Sequence, residues 1–427
     1  MRRVVITGVG MVTPLASETE TTWQGLLEGR SAVGQITSYD PSALRTHLGA
    51  EIVDFEPERY IRNRKSLRMM PRVDRFAFAA AAQAAEDAGW SLRDLDGERG
   101  ALYSGGGKEI CDPDYLKAAI LASRSEDGQV DECVFAREAL DSAYPLFYVE
   151  GLPGAILYFI SEAFQIEGAN AYFAGTAEAG AVAIGTAFRT VRRGEADYAL
   201  AGGADDPVSW WTMSKMDAAG MLTDRNSLGA SACRPFDAGR SGSVMGEGAA
   251  YVAMETEASA RARGARIYAE VVGFGSSANP RGLMTPDREG REVGLAIRGA
   301  LREAAAELGF SETILIGHGS GTRLGDPSEV RGIRSELGPQ ADFLVGSSVK
   351  ASAGHLGAGA GALNVAVAAK CLERRTVPPS LNLEDPDPEC ELDWVRGSAR
   401  AVNAPLALAL ARGLEGQCSA LLLRSVA

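Results

Sequence analysis

The chain has 427 residues, of which 46% are hydrophobic and 23% charged, with a formal net charge of −13. That length exceeds a single ordinary hydrophobic core, so two similar lobes are expected. The acidic balance argues against broad nucleic-acid binding, which needs a basic surface, and no apolar run is long enough to span a bilayer.

In chain order, Met1–Val12 (MRRVVITGVGMV) superficially looks like an export signal. Its apolar stretch is β-branched and broken by glycine, with no small-residue cleavage pattern after it, so a first buried strand and a cytoplasmic location are expected. Asp74–Gly89 carries alanine and phenylalanine at helical spacing, and Gly100–Gly107 reads as a strand and turn. Lys108–Ser142 reads as an irregular insertion, followed by an apolar helix within Ala143–Phe164. Ala171–Gly185 (AYFAGTAEAGAVAIG) reads as a short strand, a small-residue turn and the start of a helix. Ala196–Gly203 and Ala249–Glu255 are further buried strands, which divides the chain into lobes at 1–255 and 256–427. The second lobe continues with strand Ile267–Phe274, helix Val293–Leu308, strand Ile314–His318 and a small-residue helix opening near His355. Pro405–Leu410 and Ala420–Leu423 form a terminal strand pair. This alternation of strands and helices predicts parallel sheets buried on both faces.

The six cysteines, Cys111, Cys133, Cys233, Cys371, Cys390 and Cys418, form no CxxC pair. A zinc site or redox dithiol is therefore not expected, and scattered free thiols fit a reducing compartment. Two of the three histidines fall in glycine-rich stretches, Gly317–Asp326 (GHGSGTRLGD) and Ser347–Gly357 (SSVKASAGHLG), whereas His47 has no such context and reads as a surface residue. The strand–turn–helix at Ala171–Gly185 would aim the first-turn amides of a helix at a side chain in the turn, the setting that activates a nucleophilic thiol.

At these points the chain resembles the β-ketoacyl synthase family, the condensing enzymes of fatty-acid and polyketide synthesis. Gly8–Ala16 (GVGMVTPLA) and Arg234–Gly248 (RPFDAGRSGSVMGEG) extend the resemblance, the latter with Asp237, Arg240 and Glu247 as candidates for buried polar links. The resemblance implies an α/β thiolase fold: two related βαβ lobes in a five-layer αβαβα arrangement, with the site between them at strand ends. It implies that His318 and His355 face the thioester carbonyl of a malonyl carrier and stabilise the enolate formed as carbon dioxide leaves. Lys350 would organise them electrostatically, with Asp326 and Glu329 as its partners. The family's nucleophilic cysteine is expected at Ala177, so the sulfur that accepts the acyl chain is missing; Ala177 reads equally well as core. Glu178, beside it in the first turn, would be a poor neighbour for a thiolate.

The C-terminal loop also departs from the elongating enzymes, whose GFGGxN becomes GLEGQC at Gly413–Cys418, with Leu414 at the gate and Glu415 in place of glycine. Leu408–Leu423 and Ala177–Gly180 (AEAG) instead resemble chain-length factors, the non-condensing β subunits that pair with an active ketosynthase in type II polyketide synthases. That resemblance places Phe147 and Tyr148 as candidate plugs of the partner's acyl tunnel and Ala171–Gly175 at the subunit interface. Within Arg59–Arg75, the basic residues Arg62, Arg64, Lys65 and Arg68 suit docking of an acidic acyl carrier protein or its phosphopantetheine phosphate. No bound cofactor or metal is expected, the phosphopantetheine arm being a substrate carrier. Three readings follow: a non-condensing subunit in a heterodimer or homodimer, a malonyl-carrier decarboxylase using His318 and His355, or a Cys-to-Ala trapping variant of an elongating enzyme. Glu178 and the altered C-terminal loop argue against the third.

Overall fold

In the computed structural model, residues 2–91, 95–107, 114–142, 151–304 and 311–426 are described. Phe147 and Tyr148 lie outside the described residues. Eleven strands form one hydrogen-bonded sheet: β1 (Val4–Val12), β2 (Gly100–Gly106), β3 (Asn170–Ala174), β4 (Tyr198–Asp205), β5 (Gly248–Thr256), β6 (Ala269–Ala278), β7 (Thr313–Ile316), β8 (Leu344–Ser347), β9 (Asp393–Trp394), β10 (Leu406–Arg412) and β11 (Gln417–Arg424). Their spatial order is β9-β8-β7-β10-β11-β6-β1-β5-β4-β2-β3.

That order contains a repeat. Taken from the centre outwards, β1-β5-β4-β2-β3 and β6-β11-β10-β7-β8 each run first, fifth, fourth, second, third strand of a five-strand set. In both sets the first and fourth strands are antiparallel to the fifth, while the second, third and fourth are mutually parallel. The sheet is thus mixed rather than parallel throughout, the fifth strand of each set running antiparallel to both of its neighbours. The two sets are joined where Val4, Val5 and Ile6 pair antiparallel with Val271, Glu270 and Ala269.

Side chains alternate between two cores along each strand, as a period of two requires. Ala101 and Tyr103, Ala199 and Ala201, Ile314 and Ile316, and Ala407 and Ala409 face a shared central cluster. Leu102 and Leu200 face the cluster containing α1 (Arg72–Asp87), whereas Leu315 and Leu408 face the cluster containing α3 (Arg291–Ala304). The central cluster is filled by two buried helices, α2 (Ala179–Arg193) and α4 (Ala360–Arg374), one from each set. The result is α1, the first sheet half, α2 with α4, the second sheet half and α3: the five layers expected of the thiolase fold.

Three local expectations need correction. The insertion is not irregular among the described residues, since Asp114–Ala122 and Glu132–Ser142 form two helices packed on each other. His355 does not open a helix: Gly354 and Gly357 have φ of +73° and +46°, which interrupts the chain between a short turn at Lys350–Ala353 and α4. His47 is half-buried, its ring Nε2 lying 3.1 Å from the Leu44 carbonyl, rather than a free surface group.

The central helices touch through small residues. A Cβ on Gly361 would stand 2.5 Å from the Ala177 carbonyl oxygen and 2.9 Å from the Cβ atoms of Ala181 and Ala411. Gly361→Ala is therefore expected to lower stability by about 1–3 kcal/mol through overpacking. Gly34→Ala, where nothing lies within 4 Å of the new atom, should be close to neutral. Urea unfolding of the two variants checks both expectations.

Candidate functional site

The site lies where the third strand of each five-strand set hands over to its central helix. In the first half β3 ends at Ala174, the amide of the following Gly175 donates to the Gly106 carbonyl at 3.1 Å, and α2 starts after Glu178. Ala177 is fully buried in the central core, and its carbonyl accepts the Gly361 amide at 2.9 Å. Its methyl group is a packing element with no opening beside it. The elbow side chain directed at the C-terminal hairpin is the next one, Glu178. A Cβ on Gly413 would stand 2.0 Å from Glu178 Oε2. Glu178, one residue beyond the position expected for the nucleophile, is thus the elbow residue whose carboxyl reaches that hairpin.

Glu178 is 5% exposed. Burial first, and then the nearby Glu415 charge, hold its carboxyl above the usual carboxylate range, toward the neutral acid. Thr176 connects the two acids. Its Oγ1 lies 3.3 Å from Glu178 Oε2 and 3.2 Å from Glu415 Oε2, and accepts the Leu414 amide at 2.8 Å. One hydroxyl proton thus faces two carboxyl groups.

In the second half His318 follows β7. Its own amide and that of Gly319 donate to Glu329 at 2.6 and 2.9 Å, and its carbonyl accepts Lys350 Nζ. Its ring Nδ1 accepts the Arg412 amide at 3.3 Å. His355 Nδ1 likewise accepts the Gly357 amide at 3.2 Å. An Nδ1 that accepts carries no proton, so this hydrogen-bond pattern assigns the proton of both neutral rings to Nε2. The rings stand 5.4 Å apart between centroids and 80° between planes. Burial, followed by the Lys350 charge, holds His318 well below the ordinary histidine value and pushes His355 down to about 3. Lys350, itself buried, is lowered to about 8.

The structure therefore brings His318, Lys350 and His355 together. Glu329 and Asp326 are both fully buried. Their hydrogen bonds go to the loop, Asp326 accepting the Phe236 amide at 2.8 Å and the Gly321 amide at 3.1 Å, while their charges act on Lys350 against its burial. Among the described residues no carboxylate lies within ion-pairing distance of Lys350. The expected polar links of Arg234–Gly248 are present, with Arg240 donating to Asp387 at 2.6 Å and Glu247 accepting the Ile52 amide at 2.5 Å.

Several residues escaped sequence reasoning. Arg412 fixes the His318 tautomer through its backbone while its guanidinium donates to Glu292 and to the Gly325 carbonyl. Asn364 on α4 donates to the carbonyls of Gly317 and Leu410 at 3.2 and 2.8 Å, tying β7 to β10. Its only sequence signal was its place on the small-residue helix after His355; that of Arg412 was its position directly before the altered loop. A cavity of ≈ 70 Å³ beside His318 is lined by Arg412, Leu414, Glu292, Met221 and Met284. Arg62, Arg64, Lys65 and Arg68 are all exposed around the short helix Arg64–Met69. By contrast, Arg59 pairs with Glu18, Arg72 with Glu247, and Arg75 with backbone carbonyls.

Comparison with known proteins gives a consistent result. The family model for the N-terminal domain of beta-ketoacyl synthase matches residues 1–260, and that for the C-terminal domain matches residues 268–384. A 3-oxoacyl-[acyl-carrier-protein] synthase 2 of Coxiella burnetii is 33% identical over 432 residues, covering 100% of this chain and 99% of that protein. The solved ishigamide ketosynthase/chain length factor superposes with a TM-score of 0.87 at 30% identity, covering all of both chains. A type II PKS acyl-carrier protein in complex with its ketosynthase gives a TM-score of 0.84 at 26% identity, again covering both chains completely.

Both histidine rings are expected to show the Nε2–H tautomer and to titrate below the ordinary histidine range in ¹⁵N-resolved imidazole spectra. Lys350→Met removes a cation that opposes ring protonation, so both midpoints should move upward. Burial, the larger cause, remains and keeps them below about 6.5.

Proposed function

The chain belongs to the β-ketoacyl synthase family, and within it we propose a non-condensing subunit of chain-length-factor type that pairs with an active ketosynthase in carrier-protein-dependent polyketide or fatty-acid elongation. The observation that carries this reading is the elbow, which offers the carboxyl of Glu178 and no sulfur. A carboxyl there holds no growing chain as a thioester. The cysteine thiols at 233, 371, 390 and 418 are buried and raised by burial, so none substitutes as a thiolate. The trapping-variant reading is disfavoured by Glu178 and by the altered Gly413–Cys418 loop, which a single Cys-to-Ala change would have left as in an elongating enzyme.

The partner reading has independent support. β3 is an edge strand of the sheet, half-exposed and, among the described residues, paired on one side only, with β2. An edge of this kind fits extension by a second subunit of the same fold. Leu414 lines the cavity beside His318, where a gating side chain would act on a tunnel. The four exposed cations around Arg64–Met69 suit an acidic carrier protein, as the names of the acyl-carrier-protein-dependent relatives suggest.

A second reading, malonyl-carrier decarboxylation, is favoured by one specific feature. Two neutral imidazoles carrying Nε2–H donors stand 5.4 Å apart, and donors of that kind can hold an enolate oxygen. The test is co-expression with a partner ketosynthase, followed by assay of malonyl-carrier decarboxylation by the isolated chain and by the pair. A stable heterodimer without turnover by the isolated chain favours the first reading, and turnover lost in His318→Ala favours the second. For the carrier surface, combined charge reversal at Arg62, Arg64, Lys65 and Arg68 should weaken carrier-protein binding by roughly tenfold or more and flatten its salt dependence. Binding measured by calorimetry at two ionic strengths checks this.

A further inference from the structure

We propose that Glu178 is the acid that protonates the α-carbon of the enolate left when a malonyl thioester loses carbon dioxide at His318 and His355. The proposal rests on the decarboxylase reading above and assigns the step that the histidines leave undone. They can hold the developing oxyanion through Nε2–H, but the carbon still needs a proton.

The geometry places Glu178 for that task. His318 Nδ1 accepts the amide of Arg412, and Glu178 Oε2 lies against Gly413, the next residue of the same strand end. The imidazole and the carboxyl therefore border one short stretch of backbone. From the other side the elbow meets the His355 segment, since the Gly361 amide at the start of α4 donates to the Ala177 carbonyl. A side chain larger than hydrogen at 413 would fill the space into which the carboxyl projects. Buried to this degree and beside a second acid, the Glu178 carboxyl keeps its proton more readily than an exposed one.

The step balances as follows. The bond between the α-carbon and the malonyl carboxylate breaks, carbon dioxide leaves, and the electron pair moves into the thioester enolate, whose oxygen is held by the imidazole N–H groups. The enolate then collapses to the thioester as its α-carbon takes the Oε–H proton, forming a C–H bond and leaving Glu178 as a carboxylate. Thr176 offers the return path: its hydroxyl lies within hydrogen-bonding distance of Glu178 and of the half-exposed Glu415. Proton transfer along Glu415, Thr176 and Glu178 restores the acid from solvent. The residue that ends acyl transfer at this elbow thus equips it to finish a decarboxylation.

The experiment uses the full chain and methylmalonyl-pantetheine in D₂O, reading carbon dioxide release and the configuration of the α-deuterated propionyl product. The wild-type protein should give one enantiomer. Glu178→Gln should continue to release carbon dioxide but give racemic product, because water then delivers the deuteron from either face. Glu178→Asp, which keeps a shorter acid, should retain one enantiomer in excess, and His318→Ala should lose carbon dioxide release. A single enantiomer at the wild-type rate from Glu178→Gln overturns the role of Glu178 and leaves the histidine reading intact. Racemic product from the wild-type protein also overturns it. Absence of carbon dioxide release by the wild-type protein overturns both.

Discussion

The contact between the two central helices is the constraint on which the site depends. α2 and α4 follow the third strand of their respective five-strand sets, so the elbow at Gly175–Glu178 and the segment from Lys350 to Gly357 are equivalent joins in a repeated topology. Packing one helix against the other brings the two joins together. The approach is close enough for a direct backbone hydrogen bond from Gly361 to Ala177, and it is possible only because the facing residues are glycine and alanine. Larger residues here would separate an elbow from its histidines before they altered any chemistry. The site is therefore a consequence of the repeat, with chemically different residues placed at matching positions.

Electrostatics then decides what those residues can do. Lys350 is a buried cation whose nearest hydrogen-bond partner is a backbone carbonyl, that of His318, rather than a carboxylate. Its charge adds to burial in keeping both imidazoles neutral. Neutral rings with Nδ1 occupied are donors of fixed direction, which a protonated or freely rotating ring would not be. The loop bearing His318 packs on a residue of strained backbone: Phe236 adopts φ of +65°, unusual for a residue with a side chain. Its amide is held by Asp326 and its ring stacks on Trp394 at 3.8 Å, and Gly317 and Gly319 pack against that ring. Buried acids that resemble catalytic partners of the lysine thus serve chiefly as anchors for the loop bearing His318.

How far the sequence was legible follows from which interactions carry sequence signals. His318, Lys350 and His355 were recognisable because glycine-rich turns around scarce histidines are distinctive, and the buried strands because their apolar residues are continuous on both faces. Strand direction was not, since β5 and β11, although antiparallel to both of their neighbours, are buried runs like the parallel strands. Arg412 and Asn364 were invisible for a related reason: what matters is a backbone amide in one case and two backbone carbonyls as targets in the other. That the carboxyl of Glu178 reaches the C-terminal hairpin was not legible, because a turn gives no periodicity from which side-chain direction can be read. One residue along, a core methyl becomes a carboxyl facing the C-terminal hairpin.

The elbow carries a competition between two effects. The positive end of α2 favours an anion at its first turn, worth about 0.3–1 kcal/mol where solvent screens it and up to ~2 kcal/mol when partly buried. That effect would draw Glu178 toward its carboxylate, as it would draw a cysteine toward its thiolate. Burial and Glu415 act in the opposite sense, and for Glu178 they prevail. A thiol and a carboxyl placed at one elbow therefore respond differently to the same surroundings. The thiol needs to ionise to be useful, whereas the carboxyl is useful as an acid only while it has not. Enclosure by Gly413, Thr176 and Glu415 suits the second case, and it makes the altered C-terminal loop and the acidic elbow parts of one arrangement rather than two separate losses.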